Sequence, residues 1–138
     1  GIYAKDKNYD RLELATKITI PSYVSFETVL IKEGLIFQPY SSIFIASYIT
    51  RKINIDNQDY IFKQIKKDVL LNPIGIENQN ETSIATKERA FLDTLYINKN
   101  YYFDNLRPLN WDKVFEILSI YNNKRMAIIV NNLYKSLK

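Results

Sequence analysis

The feature that most constrains the fold is a change of apolar period part-way along the chain. From Ser41 to Ile55 apolar residues recur every second position, with Ile43, Ile45, Ile49, Ile53 and Ile55 on one face. That spacing predicts a long strand. Asp56-Asn57-Gln58-Asp59 supplies turn chemistry, and 60–67 returns as a second strand, so a long hairpin is expected. On either side the period is helical. Asp10 followed by Glu13 has capping-box spacing for a helix over 10–18, and Ser25 is the expected N-cap of a helix that carries Glu27 in its first turn and stops at Gly34. Asn72-Pro73-Ile74-Gly75 breaks the pattern and 77–82 reads as a polar loop. Thr86 and Asn110 then cap two more helices, and Asn122-Asn123 turns the chain into a last one, striped by Met126, Ile129, Val130, Leu133 and Leu137. This order predicts an α+β fold, a small antiparallel sheet built around the long hairpin and packed with about five helices.

Composition limits the chemistry. The 138 residues, 46% of them hydrophobic, suffice for one domain with its own core. There is no Cys and no His, which removes thiolate nucleophiles, Ser-His and Cys-His triads, and nearly every zinc site. Three scattered Gly cannot form a phosphate-cradling loop, and no Asp-x-Asp, Glu-x-Lys or Asp-x-Lys pattern offers a nuclease or transferase metal site. No catalytic residue, metal, cofactor or small-molecule substrate is therefore expected. An enzyme acting on nucleic acid survives only with Tyr or Lys as its reactive group. No run approaches the ~18 apolar residues of a membrane helix, so a cytoplasmic protein without a membrane partner is expected.

The net charge of +4 permits a nucleic-acid partner without requiring one. The positive excess is concentrated on the hairpin, where Arg51, Lys52, Lys63, Lys66 and Lys67 face only Asp56 and Asp59. Such cations follow a phosphate backbone, or they guard a sheet edge against aggregation. Arg51 falls on the Ile face by simple alternation, where it needs a bulge or a specific partner. Lys87 and Arg89, and likewise Lys124 and Arg125, occupy first helical turns where cations oppose the dipole and tolerate an anion nearby. Asp93 lies in the apolar run Phe91-Leu92-Asp93-Thr94-Leu95, which demands a partner such as Arg89 one turn earlier. Ser25, Glu27, Thr86 and Asp93 are the expected structural polar residues. Tyr101-Tyr102-Phe103 suits a binding surface or folds back over the core.

Two stretches carry a resemblance. Ile20-Pro21-Ser22-Tyr23-Val24-Ser25-Phe26-Glu27-Thr28-Val29-Leu30, ending in Gly34-Leu35-Ile36, is similar to a segment of AbiEi-type antitoxins. Ile49-Thr50-Arg51-Lys52, the return Tyr60 to Lys66, and the run Ile84 to Tyr96 resemble that family's hairpin and following helix, in the same order across about residues 9 to 97. The resemblance implies a C-terminal domain, residues 9–138, preceded by a winged helix of which 1–8 would be the residual end. It also implies an autoregulator of its operon and a type IV antitoxin that counters a nucleotidyltransferase-like toxin without a stable complex. Operator DNA would then be met mainly through the winged helix, with Arg51, Lys52, Lys63, Lys66, Lys67, Lys87 and Arg89 as auxiliary contacts. The sequence departs from the family at Lys87, where Pro is frequent. The competing expectation is a protein-interaction or oligomerisation module without nucleic-acid contact.

Overall fold

The computed structural model describes residues 11–79 and 81–137; the expected cap at Asp10 and the expected wing remnant at 1–8 lie outside them. The elements are α1 (Arg11–Ile18), β1 (Ser22–Val24), α2 (Glu27–Lys32), β2 (Ile43–Ser47), β3 (Arg51–Ile55), β4 (Gln58–Gln64), α3 (Lys67–Leu70), β5 (Ile76–Gln79), β6 (Thr82–Ala85), α4 (Lys87–Ile97), α5 (Trp111–Leu118) and α6 (Lys124–Lys135). The α+β class stands. The sheet, however, is six-stranded and mixed, in the order β3-β4-β2-β1-β6-β5, with β2 parallel to β4 and β1 parallel to β6.

The long strand expected over 41–55 is two strands. Tyr48-Ile49-Thr50 turns the chain between β2 and β3, and the Ser47 hydroxyl holds that turn by donating to the Ile49 carbonyl and accepting the Ile49 N–H. β3 then pairs antiparallel with the outer edge of β4, whose inner edge takes β2. The break preserves parity, which is why the alternation runs through it undisturbed. Ile43, Ile45, Ile53 and Ile55 all reach one small core with Ala15, Tyr60 and Phe62 beneath α1. Asp56 and Asn57, with φ of 53° and 64°, make the two-residue left-handed turn that suits the twist of the β3–β4 hairpin.

The opposite face of the sheet carries the larger core. Phe44 and Ala46 of β2 enter it with Tyr23, Leu30, Leu35, Phe91, Leu92, Val114, Met126 and Val130. Central strand β2 is thus buried on both faces. The three later helices begin where their caps place them, with Thr86 accepting from the Arg89 N–H, Asn110 from Lys113 and Asn123 from Met126. Gly34 ends α2 at φ +81°.

Three expectations need correction. The expected polar loop at 77–82 gives way to strands: 77–79 belong to β5 and Thr82 opens β6, which pair antiparallel, and the stretch is polar because β5 is an exposed edge strand. The second strand ends at Gln64, so Lys66 and Lys67 belong to the start of α3. Ser25 is not an N-cap: Phe26 holds that position at φ 55° and ψ −140°, with no side-chain cap, and the Ser25 hydroxyl points instead to Asp93.

Candidate nucleic-acid interface

The chain's most heavily bonded polar groups are buried. Thr86 starts α4 so that Arg89 and Asp93, one turn apart, face inward, and both are 0% exposed. The Arg89 guanidinium donates to the carbonyls of Asn72 at 3.0 Å, Ile74 at 2.5 Å and Val69 at 2.7 Å, and from Nε and Nη2 to the Tyr23 hydroxyl. Its Nε lies 3.5 Å from Asp93 Oδ1. Asp93 accepts hydroxyl donors from Tyr23 at 2.8 Å, Ser25 at 2.8 Å and Tyr121 at 2.6 Å. Tyr23 therefore relays, accepting from Arg89 and donating to Asp93. Gly75 makes the wrap possible: its φ is +79°, and a Cβ there would lie 2.9 Å from the Ile117 side chain and 3.0 Å from Arg89 Cβ.

Burial pushes the Asp93 carboxyl up, against the pull of Arg89 and the three hydroxyls. Burial, then Asp93, pushes the Tyr23 and Tyr121 hydroxyls well above the ordinary tyrosine value. A charge pair this enclosed joins α4 to β1, to the Val69–Ile74 connection and to Tyr121. It offers no atom to a ligand. Arg89, assigned from the sequence to nucleic-acid contact, is removed from that set because its donors are spent on carbonyls and a hydroxyl inside the protein.

The remaining six cations part into two groups. Lys63 is only partly exposed, unlike its hairpin neighbours. Its Nζ lies 3.6 Å from Glu27 Oε1, and 5.2 Å and 5.0 Å from the Phe26 and Phe44 ring centroids. Alternation puts it on the helix-covered face, opposite Phe62. Glu27, 5% exposed, is thus the partner of a lysine rather than simply a first-turn acid. The same carboxylate, after burial itself, helps push the Tyr101 hydroxyl above its ordinary range. Lys87 pairs with Glu88 at 3.5 Å, and Glu88 also accepts the Asn110 N–H. Each of these lysines is engaged by a buried carboxylate and is less available to a phosphate backbone than a fully exposed cation.

Arg51, Lys52, Lys66 and Lys67 are exposed. Arg51 opens β3 opposite Phe62, near the end of β4, and Lys66 and Lys67 follow directly from that same end. Thr50 Oγ1 accepts the Gln64 N–H and holds the two segments together there. The topology therefore collects four cations at one end of the sheet. Arg51 resolves its sequence conflict without a bulge, since β3 is an edge strand and its guanidinium lies over the Phe62 ring at 5.9 Å. Lys52 keeps a loose contact of 3.8 Å with Asp59, and Asp68 is the exposed acid beside Lys67.

No family model, curated protein or solved structure matches this chain. Among the described residues no group of three His, Cys, Asp or Glu side chains could hold a metal ion, and no helix is long and apolar enough to cross a membrane. Sequence reasoning missed Tyr23 and Tyr121 as partners of Asp93. Their only sequence signal is a hydroxyl on an otherwise apolar position.

Proposed function

We propose that the chain is an AbiEi-like antitoxin domain, cytoplasmic and non-enzymatic, that counters a nucleotidyltransferase-like toxin without stable complex formation and assists operator binding through its exposed cations. The observation that carries this reading is where the resembling segments meet. Tyr23 and Ser25 come from the first, Arg89 and Asp93 from the second, and the four form one buried hydrogen-bonded cluster. Tyr23, Ser25 and Asp93 lie in the resembling segments and depend on one another in this fold, which supports the reading. Arg51, Lys52, Lys66 and Lys67 supply the sequence-independent phosphate contacts.

The neighbouring reading frame tests it. The expected result is a nucleotidyltransferase-like protein whose expression arrests growth, with arrest relieved by this chain in trans and no co-purifying complex. Unrelieved arrest, or a stoichiometric complex, contradicts the proposal.

A second reading, a protein-interaction module, rests on one feature. Ile20, Pro21, Tyr48, Leu70 and Leu71 border an apolar depression of about 430 Å³ beside Lys67, and Ile20, Tyr48 and Leu71 are exposed. A stable complex with the toxin would favour this reading.

A further inference from the structure

The segments 36–40 and 98–104 border an open depression of about 300 Å³ that shares no residue with the basic end of the sheet. Its rim is aromatic. Tyr102 is 78% exposed and Tyr40 41% exposed. Between its neighbours Tyr102 has a defined place: the tilted rings of Tyr101 and Phe103 pack with centroids 4.9 Å apart, and Phe103 packs on Phe91 at 4.9 Å, anchoring the loop to the core on either side of it. The two segments are also stitched together. Asp104 Oδ2 accepts the Phe37 N–H at 2.7 Å, and the Asn105 N–H donates to the Leu35 carbonyl at 3.0 Å. The rings of Tyr40 and Tyr102 are thus presented by anchored backbone.

The polar lining consists mainly of carboxamides, Gln38, Asn98 and Asn100, beside Asp104. Asn98 Oδ1 accepts the Asn100 N–H, and the side-chain amides of Gln38 and Asn100 bond no other described residue. A carboxamide sets a donor and an acceptor in one plane, the pattern of a nucleobase edge. Exposed tyrosines supply the flat apolar surface on which an unstacked base rests. A sugar, whose hydroxyls project at several angles, calls on carboxylates, and Asp104 supplies a single one among the lining residues.

We propose that this depression binds an unpaired nucleobase, carried by a free nucleotide or by a single strand, with Tyr102 and Tyr40 as stacking faces and Gln38, Asn98 and Asn100 meeting the base edge. A duplex hides its base faces and does not enter. The inference stands apart from the antitoxin reading.

The test follows the side-chain amide NMR signals of Gln38, Asn98 and Asn100 as the chain is titrated with adenosine 5′-monophosphate, a short single-stranded oligodeoxyadenylate, the matching duplex and maltose. Saturable shifts are expected with the nucleotide, the single strand or both, and the tighter of the two identifies the source. Tyr102→Ala should weaken that binding about 5- to 150-fold, the loss of one stacked base. Tyr48→Ala, an exposed tyrosine elsewhere, should leave it unchanged. No saturable shift with nucleotide or strand, unaltered affinity in Tyr102→Ala, or equal shifts with maltose would overturn the proposal.

Discussion

Arg89 and Lys66 carry the same charge, yet the fold treats them oppositely. Arg89 is enclosed by three carbonyls, a tyrosine hydroxyl and a carboxylate, whereas Lys66 stands in solvent at the end of the sheet with Lys67, Arg51 and Lys52. The difference lies in what surrounds the charge. A buried cation must have every donor satisfied, so its energetic weight falls on the partners that would be stranded without it. An exposed cation keeps its hydration, contributes little to stability and remains available to an anion. One region holds the molecule together; the other is left for binding.

The largest expected effect breaks the buried side of this comparison. Replacing Arg89 or Asp93 by Ala strands a charge and several polar groups, and should cost about 3 to 5 kcal/mol in denaturant-induced unfolding. Asp93→Asn, which keeps the shape and part of the hydrogen bonding, should cost less. A loss below about 1 kcal/mol for either alanine variant would mean that the cluster is not what couples α4 to β1 and the Val69–Ile74 connection.

A smaller effect is read with alkali. Tyr23 and Tyr121 hold their protons to higher pH in the fold than in the unfolded chain, because burial and Asp93 oppose their ionisation. The unfolded chain ionises first as pH passes about 10. Stability is therefore intact below that point and falls as pH rises further, by up to about 1.4 kcal/mol per pH unit for each tyrosine. Tyr121→Phe should flatten the decline measured by denaturation between about pH 9 and 11. A wild-type profile that is flat there would contradict the closure of the cluster.

The smallest effect sharpens the exposed side. Lys66→Glu and Lys67→Glu should change unfolding stability by no more than about 0.5 kcal/mol each, since neither side chain is buried. A larger loss would give these lysines a structural role and weaken their candidacy as phosphate contacts.

The sequence carried part of this division and hid the rest. Asp93 was legible because a carboxylate inside an apolar helix run demands a partner, and Arg89 at i−4 was the nearest cation. The other partners were not, since Tyr23, Val69, Asn72, Ile74 and Tyr121 come from distant segments that only the tertiary fold brings together. Lys63 was misread for a different reason. Alternation correctly set it opposite Phe62, but β4 is covered on both faces, and period alone does not say that the second face is closed by Glu27 and two phenylalanines. The turn at Tyr48-Ile49-Thr50 escaped notice because it has no Gly or Pro and preserves the parity of the isoleucines on either side. Thr86 and Asn110 were readable because a cap acts within three residues of itself, whereas at Asn122-Asn123 the sequence showed only a turn and the cap is Asn123.

The most direct test of the division is a salt series on DNA. Duplex affinity should be measured for the chain and for the variant R51E/K52E/K66E/K67E, with K63E/K87E as the comparison. Each lost phosphate contact removes about 0.9 from the slope of log affinity against log salt. The account predicts that the four exposed cations carry nearly all of that slope, so that the first variant binds weakly with a flattened dependence and the second keeps most of the wild-type slope. An unchanged slope in R51E/K52E/K66E/K67E, or an equal loss in K63E/K87E, would contradict it.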